Sequence, residues 1–240
     1  MRRGATTKLL GIQSHFFFPV MRGETVTSAS IFNPHEYIGG TLVAIAGNDF
    51  ATIACDTRLT NDFNIRKMRS QSKLFDVSPQ TVLGSVGCRC DTLALVSLVR
   101  SFSLKYELDN LMPVCPDSLA SMLTRTKLTR QYFVSTVVTG IDSKGLGAVY
   151  FNDPIGNYLR LPYHISGTGG RIILPTLNWF EGNEEDHMNA ITTSLTVDKT
   201  VQISMEAFRA ARDCDSFTGN CMFINIITRE GVQFKQLPLP

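Results

Sequence analysis

Regular patterning begins at Thr41. Thr41 to Ala46 and Phe50 to Cys55 are runs of β-branched and small apolar residues separated by Gly47-Asn48-Asp49, which predicts a β-hairpin. Lys73 to Val77 and Thr81 to Val86 predict a second hairpin, turned by Ser78-Pro79-Gln80, and Gly84 and Gly87 then break the strand pattern. Near Asp91 the period changes. Leu95, Val99, Phe102 and Tyr106 recur at helical spacing up to Asn110. A second helix is predicted from Pro116-Asp117-Ser118 through Leu119, Met122, Leu123 and Lys127 towards Arg130. Strand patterning returns from Tyr132 to Ile141, Ala148 to Asn152 and Tyr158 to Tyr163. Ser166-Gly167-Thr168-Gly169-Gly170 opens a third helix, Arg171 to Phe180. A last helix presents Val197, Val201, Met205 and Phe208 on one face as it approaches Asp213. Cys221 to Thr228 and Val232 to Gln236 close the chain as strands around Arg229-Glu230-Gly231.

The predicted order is four strands, two helices, three strands, two helices and two strands. Strands come in blocks rather than alternating with helices, so parallel α/β architectures fit poorly. An α+β fold fits well: a four-layer αββα sandwich, two stacked antiparallel sheets flanked by helices. No internal repeat or long linker argues for a second domain.

Composition narrows the functional classes. The 240 residues are 43% apolar, enough for one large core, and the formal charge is +2. The longest basic stretch, Arg66-Lys67-Met68-Arg69, is too short for a nucleic-acid groove. No run of about 18 apolar residues offers a membrane span. Met1-Arg2-Arg3 with Leu9-Leu10 imitates a signal peptide, but Gln13, Ser14 and His15 interrupt it. The absence of acidic residues before Glu24 makes a transit peptide a rival. The favoured reading is a leader over residues 1–38 and a single domain over 39–240. Six cysteines (55, 88, 90, 115, 214 and 221) then read as reduced thiols, and Cys88-Arg89-Cys90 suits neither a thioredoxin motif nor a zinc site. This places the chain in the cytoplasm and nucleus.

Gly39-Gly40-Thr41 followed by Leu42 to Gly47, and Asp56-Thr57-Arg58-Leu59, carry a more specific signal. Gly145 to Tyr150 with Asp153-Pro154-Ile155-Gly156, Phe217-Thr218-Gly219 and Phe32-Asn33-Pro34 extend it in colinear order. Together they resemble the β-type subunits of the 20S proteasome, from about Phe32 to the C-terminus, closest to the branch sixth in the β ring. The resemblance implies the N-terminal-nucleophile hydrolase fold. In active members a Gly-Thr bond is cut, and the freed threonine uses its hydroxyl as nucleophile and its α-amine as base.

The resemblance also places candidate site residues. In active members the nucleophile precedes the aspartate of the Asp-x-Arg turn by sixteen residues. Here that count from Asp56 lands on Gly40, which has no hydroxyl. Thr41 is one residue too late, and side chains alternate across a strand, so a one-residue slip turns its hydroxyl to the opposite face. The family lysine falls on Ser72 by direct count, and a one-residue insertion between Leu59 and Gln71 brings in Lys73. In an active site this lysine lowers the pKa of the threonine amine; here it is read as half of a structural ion pair with Asp56. Thr168 and Thr218 match family serines, and Asp215 the accompanying aspartate. Hydroxyls and an aspartate at a helix end also occur in purely structural loop networks.

The chain is therefore expected to be a non-catalytic wall of a proteolytic chamber, with no metal or organic cofactor. Its expected partners are the other α and β subunits of a 28-subunit assembly, with neither nucleic acid nor membrane. The alternative is a threonine endopeptidase using Thr41 after autocleavage, supported by Lys73, Asp56, Thr168, Asp215 and Thr218.

Overall fold

A computed structural model describes residues 39–60, 66–181 and 195–239. The expected leader lies outside these residues. The chain forms β1 (Thr41–Ala46), β2 (Phe50–Asp56), β3 (Leu59–Thr60), β4 (Arg66–Met68), β5 (Leu74–Ser78) and β6 (Thr81–Gly87). Helices α1 (Arg89–Asn110) and α2 (Pro116–Thr129) follow, then β7 (Val134–Ile141), β8 (Gly147–Asn152), β9 (Tyr158–Leu161) and β10 (Tyr163–Gly167). Helices α3 (Gly170–Glu181) and α4 (Val197–Cys214) precede β11 (Cys221–Thr228) and β12 (Gly231–Pro238).

Two five-stranded antiparallel sheets result, ordered β10-β1-β2-β11-β12 and β5-β6-β7-β8-β9, with β3 and β4 as a separate ribbon. Leu42, Ala44, Ile53, Val82, Val137 and Val149 pack between the sheets. Leu95, Val99, Leu119 and Leu123 of α1 and α2 cover the outer face of the second sheet. Ile203, Ala207, Phe208 and Ala211 of α4 cover the first, against Val43, Ala54 and Ile224. This is the four-layer αββα sandwich. Because both faces are covered, β1 and β2 are buried at every position and lack the apolar-polar alternation of a half-exposed strand.

That burial fixes the register. Even-numbered residues of β1 face the second sheet and odd-numbered residues face the helices. A one-residue slip would exchange Leu42 for Thr41 or Val43 in the inner core, and each large buried aliphatic side chain contributes about 1.5–3 kcal/mol. Thr41 accordingly pairs with Gly167 on one side, and Leu42 with Cys55 on the other.

Three expectations need correction. The strand expected from Tyr158 to Tyr163 is two strands in different sheets, divided at Pro162. Proline lacks the N–H a continuing ladder needs, and its carbonyl instead accepts the Ala46 N–H at 2.8 Å. With the β3–β4 ribbon, the strand blocks hold six and four strands rather than four and three. On α4 the buried residues are Thr200, Ile203, Ser204, Ala207, Phe208 and Ala211; of the expected face, Phe208 lies in the core, Val201 and Met205 pack against its edge, and Val197 is half-buried. Small residues on that stripe let the helix lie close to β2.

Lys127 occupies an interior place. It is buried, and its three N–H groups are shared among four oxygens: Val134 O (3.1 Å), Thr136 Oγ1 (2.9 Å), Asn152 O (3.3 Å) and Asp153 O (3.0 Å). One ammonium thus pins α2 to β7, β8 and the turn after β8.

Candidate functional site

The start of β1, the end of β2 and the loops before β5, α3 and β11 converge on Gly40 and Thr41. Asp56, the last residue of β2, is fully buried. Its Oδ1 accepts the Thr41 N–H at 2.8 Å and the Lys73 ammonium at 2.8 Å. Its Oδ2 accepts N–H groups from Arg58 (3.0 Å) and Gly219 (3.3 Å). Burial pushes the Asp56 carboxyl up, while the Lys73 ammonium and these hydrogen bonds pull it back towards the ionised form. Lys73 also donates to the carbonyls of Asp56 and Arg58, each at 2.8 Å. Its three protons therefore meet three oxygens, and none is left for a further partner.

Gly40 faces this pair. A Cβ at Gly40 would lie 2.2 Å from Lys73 Cε, 2.6 Å from Lys73 Nζ and 2.9 Å from Asp56 Oδ1. Its φ of 132° lies in a region that side-chain-bearing residues rarely adopt. The lysine lies in the volume a side chain would need.

Thr41 points the other way. Its hydroxyl accepts the Gly169 N–H at 3.0 Å and lies 2.7 Å from Thr218 Oγ1. Thr218 donates its only hydroxyl proton to Asp215 Oδ2 at 2.6 Å, so the Thr41 hydroxyl is the donor to Thr218. Thr168 donates to the same Asp215 oxygen at 2.6 Å. The Thr168 hydroxyl also accepts the Gly40 N–H at 3.4 Å, while the Thr168 N–H donates to Gly40 O at 3.0 Å. Asp215, just past the end of α4, is oriented by the Phe217 N–H at 3.0 Å from Oδ1. The Thr41, Thr168 and Thr218 hydroxyls each have both a donor and an acceptor role filled.

The structure thus brings all seven sequence-derived positions together, but on two faces of one strand. Gly40, Asp56 and Lys73 form a charged cluster; Thr41, Thr168, Asp215 and Thr218 form a hydroxyl network. The Asp56–Thr41 N–H bond joins them. Lys73 reaches Asp56 despite standing one residue beyond the direct count. Sequence reasoning did not single out the backbone groups that complete the site: the Arg58 carbonyl and the N–H groups of Gly169 and Gly219. Backbone donors carry no residue-type signal, although a glycine at 169 hints at close approach, since a Cβ there would lie 2.5 Å from Thr41 Oγ1. Cys55, near Lys73, is no substitute nucleophile, because complete burial pushes its thiol up to about 11. Among the described residues no group of His, Cys, Asp and Glu has the composition of a metal site, and no helix is long and apolar enough to cross a membrane.

This sandwich, with its converging strand end and charged pair, defines an N-terminal-nucleophile hydrolase architecture. Comparisons with known proteins agree. Residues 36–227 match the family model described as "Proteasome subunit". Proteasome subunit beta type-1 of Drosophila melanogaster is 41% identical over 212 residues, covering 87% of this chain and 90% of the relative. Proteasome subunit beta type-1-B of Carassius auratus is 33% identical over 87% of this chain and 88% of the relative. A probable proteasome subunit beta type-6 of Schizosaccharomyces pombe is 33% identical over 88% and 98%. This chain belongs to the proteasome subunit family, and the relatives that match it over most of its length are β-type members.

Proposed function

We propose that this chain is a structural β subunit of the 20S proteasome core, completing the wall of the proteolytic chamber without cutting peptide bonds itself. The observation that carries this reading is the Lys73 side chain lying where a nucleophile's Cβ would be, against a glycine at position 40. A threonine-type site needs a hydroxyl, a free α-amine and a lysine free to tune that amine. Here the lysine is fully committed to oxygens of Asp56 and Arg58. The seven positions are a remnant serving stability. The remaining parts of the reading are residues 1–38 as leader, 39–240 as one domain, α and β partners in a 28-subunit particle, and a cytoplasmic and nuclear location. Degradation of ubiquitin-tagged proteins would belong to the assembly.

The rival reading makes Thr41 the nucleophile after cleavage of the Gly40–Thr41 bond. Against it, the Thr41 hydroxyl faces Thr218 and Gly169, across the strand from the side where Lys73 lies. The test is a covalent probe for N-terminal threonines on the assembled particle, read by the intact mass of each chain. The expected result is labelling of other β subunits and none here; an adduct on Thr41 overturns the proposal.

A further inference from the structure

The first sheet has an open edge at β10, which pairs only with β1. Its hydrogen-bond phase is set at both ends. Pro162 O accepts the Ala46 N–H at 2.8 Å, and the Thr168 N–H donates to Gly40 O at 3.0 Å. Backbone groups alternate in direction along an antiparallel strand, so the even-numbered residues from Pro162 to Thr168 bond to β1. Ile165 and Gly167 turn their N–H and C=O away from the sheet. Neither has a partner on that side among the described residues.

Thr168 and Gly169 connect this strand to α3. Strand and helix together leave an open groove of about 590 Å³, lined by Tyr163, Ile165, Gly167, Gly170, Arg171 and Leu174 among others. Gly170 keeps it unfilled. A Cβ there would meet a single atom, Ile165 Cγ2, at an ordinary 3.6 Å, and its φ is not positive. Neither a neighbour nor the backbone therefore demands a glycine at this position. The walls are apolar: Tyr163 and Ile165 are half-buried, and Leu174 is 46% exposed. One charge faces the groove. Burial lowers His164 to about 4 and leaves it neutral, so the cation is Arg171, exposed in the first turn of α3 with no ion pair among the described residues. No acidic residue lines the groove.

Unpaired N–H and C=O groups at every second residue match the backbone of another extended strand. The apolar trough beside them matches an apolar side chain, and the unpaired arginine a carboxylate. We propose that β10 and α3 dock an extended acidic-apolar segment of another polypeptide, which joins the five-stranded sheet as a sixth strand antiparallel to β10. Its backbone pairs with Ile165 and Gly167. An apolar side chain occupies the space over Gly170, between Ile165 and Leu174, and an acidic side chain near its N-terminal end meets Arg171. This goes beyond the structural role: it concerns the outer edge of the sheet and stands whether or not Thr41 is a nucleophile.

The experiment titrates the full-length chain against a fluorescein-labelled hexapeptide, Asp-Thr-Val-Thr-Val-Thr, and reads anisotropy. Saturable binding is expected, and its absence up to about 1 mM overturns the proposal. Two N-methylated forms of the probe, one blocked at the valines and one at the threonines, test strand addition directly. One is expected to bind about ten-fold or more weakly and the other to change less than about two-fold, because every second N–H faces β10. Equal losses, or none, overturn the proposal. G170L fills the groove and is expected to abolish binding with the far-UV circular dichroism unchanged; a G170L variant that binds as well as the wild type overturns it. R171Q is expected to weaken the aspartate probe about three- to ten-fold and to leave an asparagine version unaffected. Equal affinity of R171Q and wild type for the aspartate probe overturns it. Sedimentation of the chain alone identifies a second copy as occupant: a dimer that G170L dissolves overturns the proposal in favour of self-pairing.

Discussion

Lys73 and Lys127 are each only 3% exposed, yet they hold their charges in different surroundings. Lys73 meets a fully buried carboxylate and two carbonyls, each at 2.8 Å. Lys127 meets three carbonyls and a hydroxyl at 2.9–3.3 Å, with no carboxylate in contact. Burial accordingly lowers Lys127 to about 7, with Asp153 opposing the shift only at a distance. The first lysine neutralises another charge; the second replaces solvent for unpaired oxygens where a helix crosses two strands. Removing one leaves an orphaned charge, and removing the other leaves only orphaned dipoles. A buried lysine is therefore not by itself a mark of catalysis. What it touches decides its role.

The contrast predicts an order of effects. K73M strands the Asp56 carboxylate in the core and is expected to cost about 3–5 kcal/mol, measured by urea titration. A loss below about 1 kcal/mol would mean that Asp56 does not depend on the ammonium. G40A comes next, at about 2–3 kcal/mol, because a Cβ overlaps the lysine and the backbone at 40 is one glycine tolerates. Combining it with K73M should cost less than the sum, since the clash disappears with the lysine. K127M is expected to have the smallest effect near neutrality, about 1–3 kcal/mol from unsatisfied oxygens. Its pH dependence is the sharper check. The folded-state value of about 7 lies below the ordinary 10.5, so the unfolded chain binds more protons between those values. Wild-type stability should then rise with pH from about 7 to 10.5, and the K127M variant should lack that rise. Parallel curves for the two proteins would remove the burial argument.

Much of this was legible in the sequence where local rules dominate. The β1–β2 hairpin, α1 and α2 follow from turn residues and helical spacing. The offset of Thr41 from the family spacing followed from counting between Asp56 and Gly40, because a strand's period of two makes one residue decisive. The Pro162 break was less legible, since Tyr158 to Tyr163 reads as one short strand run and only pairing reveals two sheets. The α4 face was read off-centre because Thr200, Ser204 and Ala207, which carry little apolar signal, share the buried stripe with Ile203 and Phe208, while Val201 and Met205 lie at its edge. Lys127 was placed on a helix face without a role, since its carbonyl partners belong to backbone segments whose sequence says nothing about them.

The position of Lys73 over Gly40 has an engineering consequence. The lysine occupies the space a side chain at position 40 would need and is held there by three oxygens. A threonine placed at position 40 would meet an occupied pocket and a backbone shaped for glycine. Installing a hydroxyl there takes a concerted redesign of the lysine and the strand end, and a single codon change does not suffice.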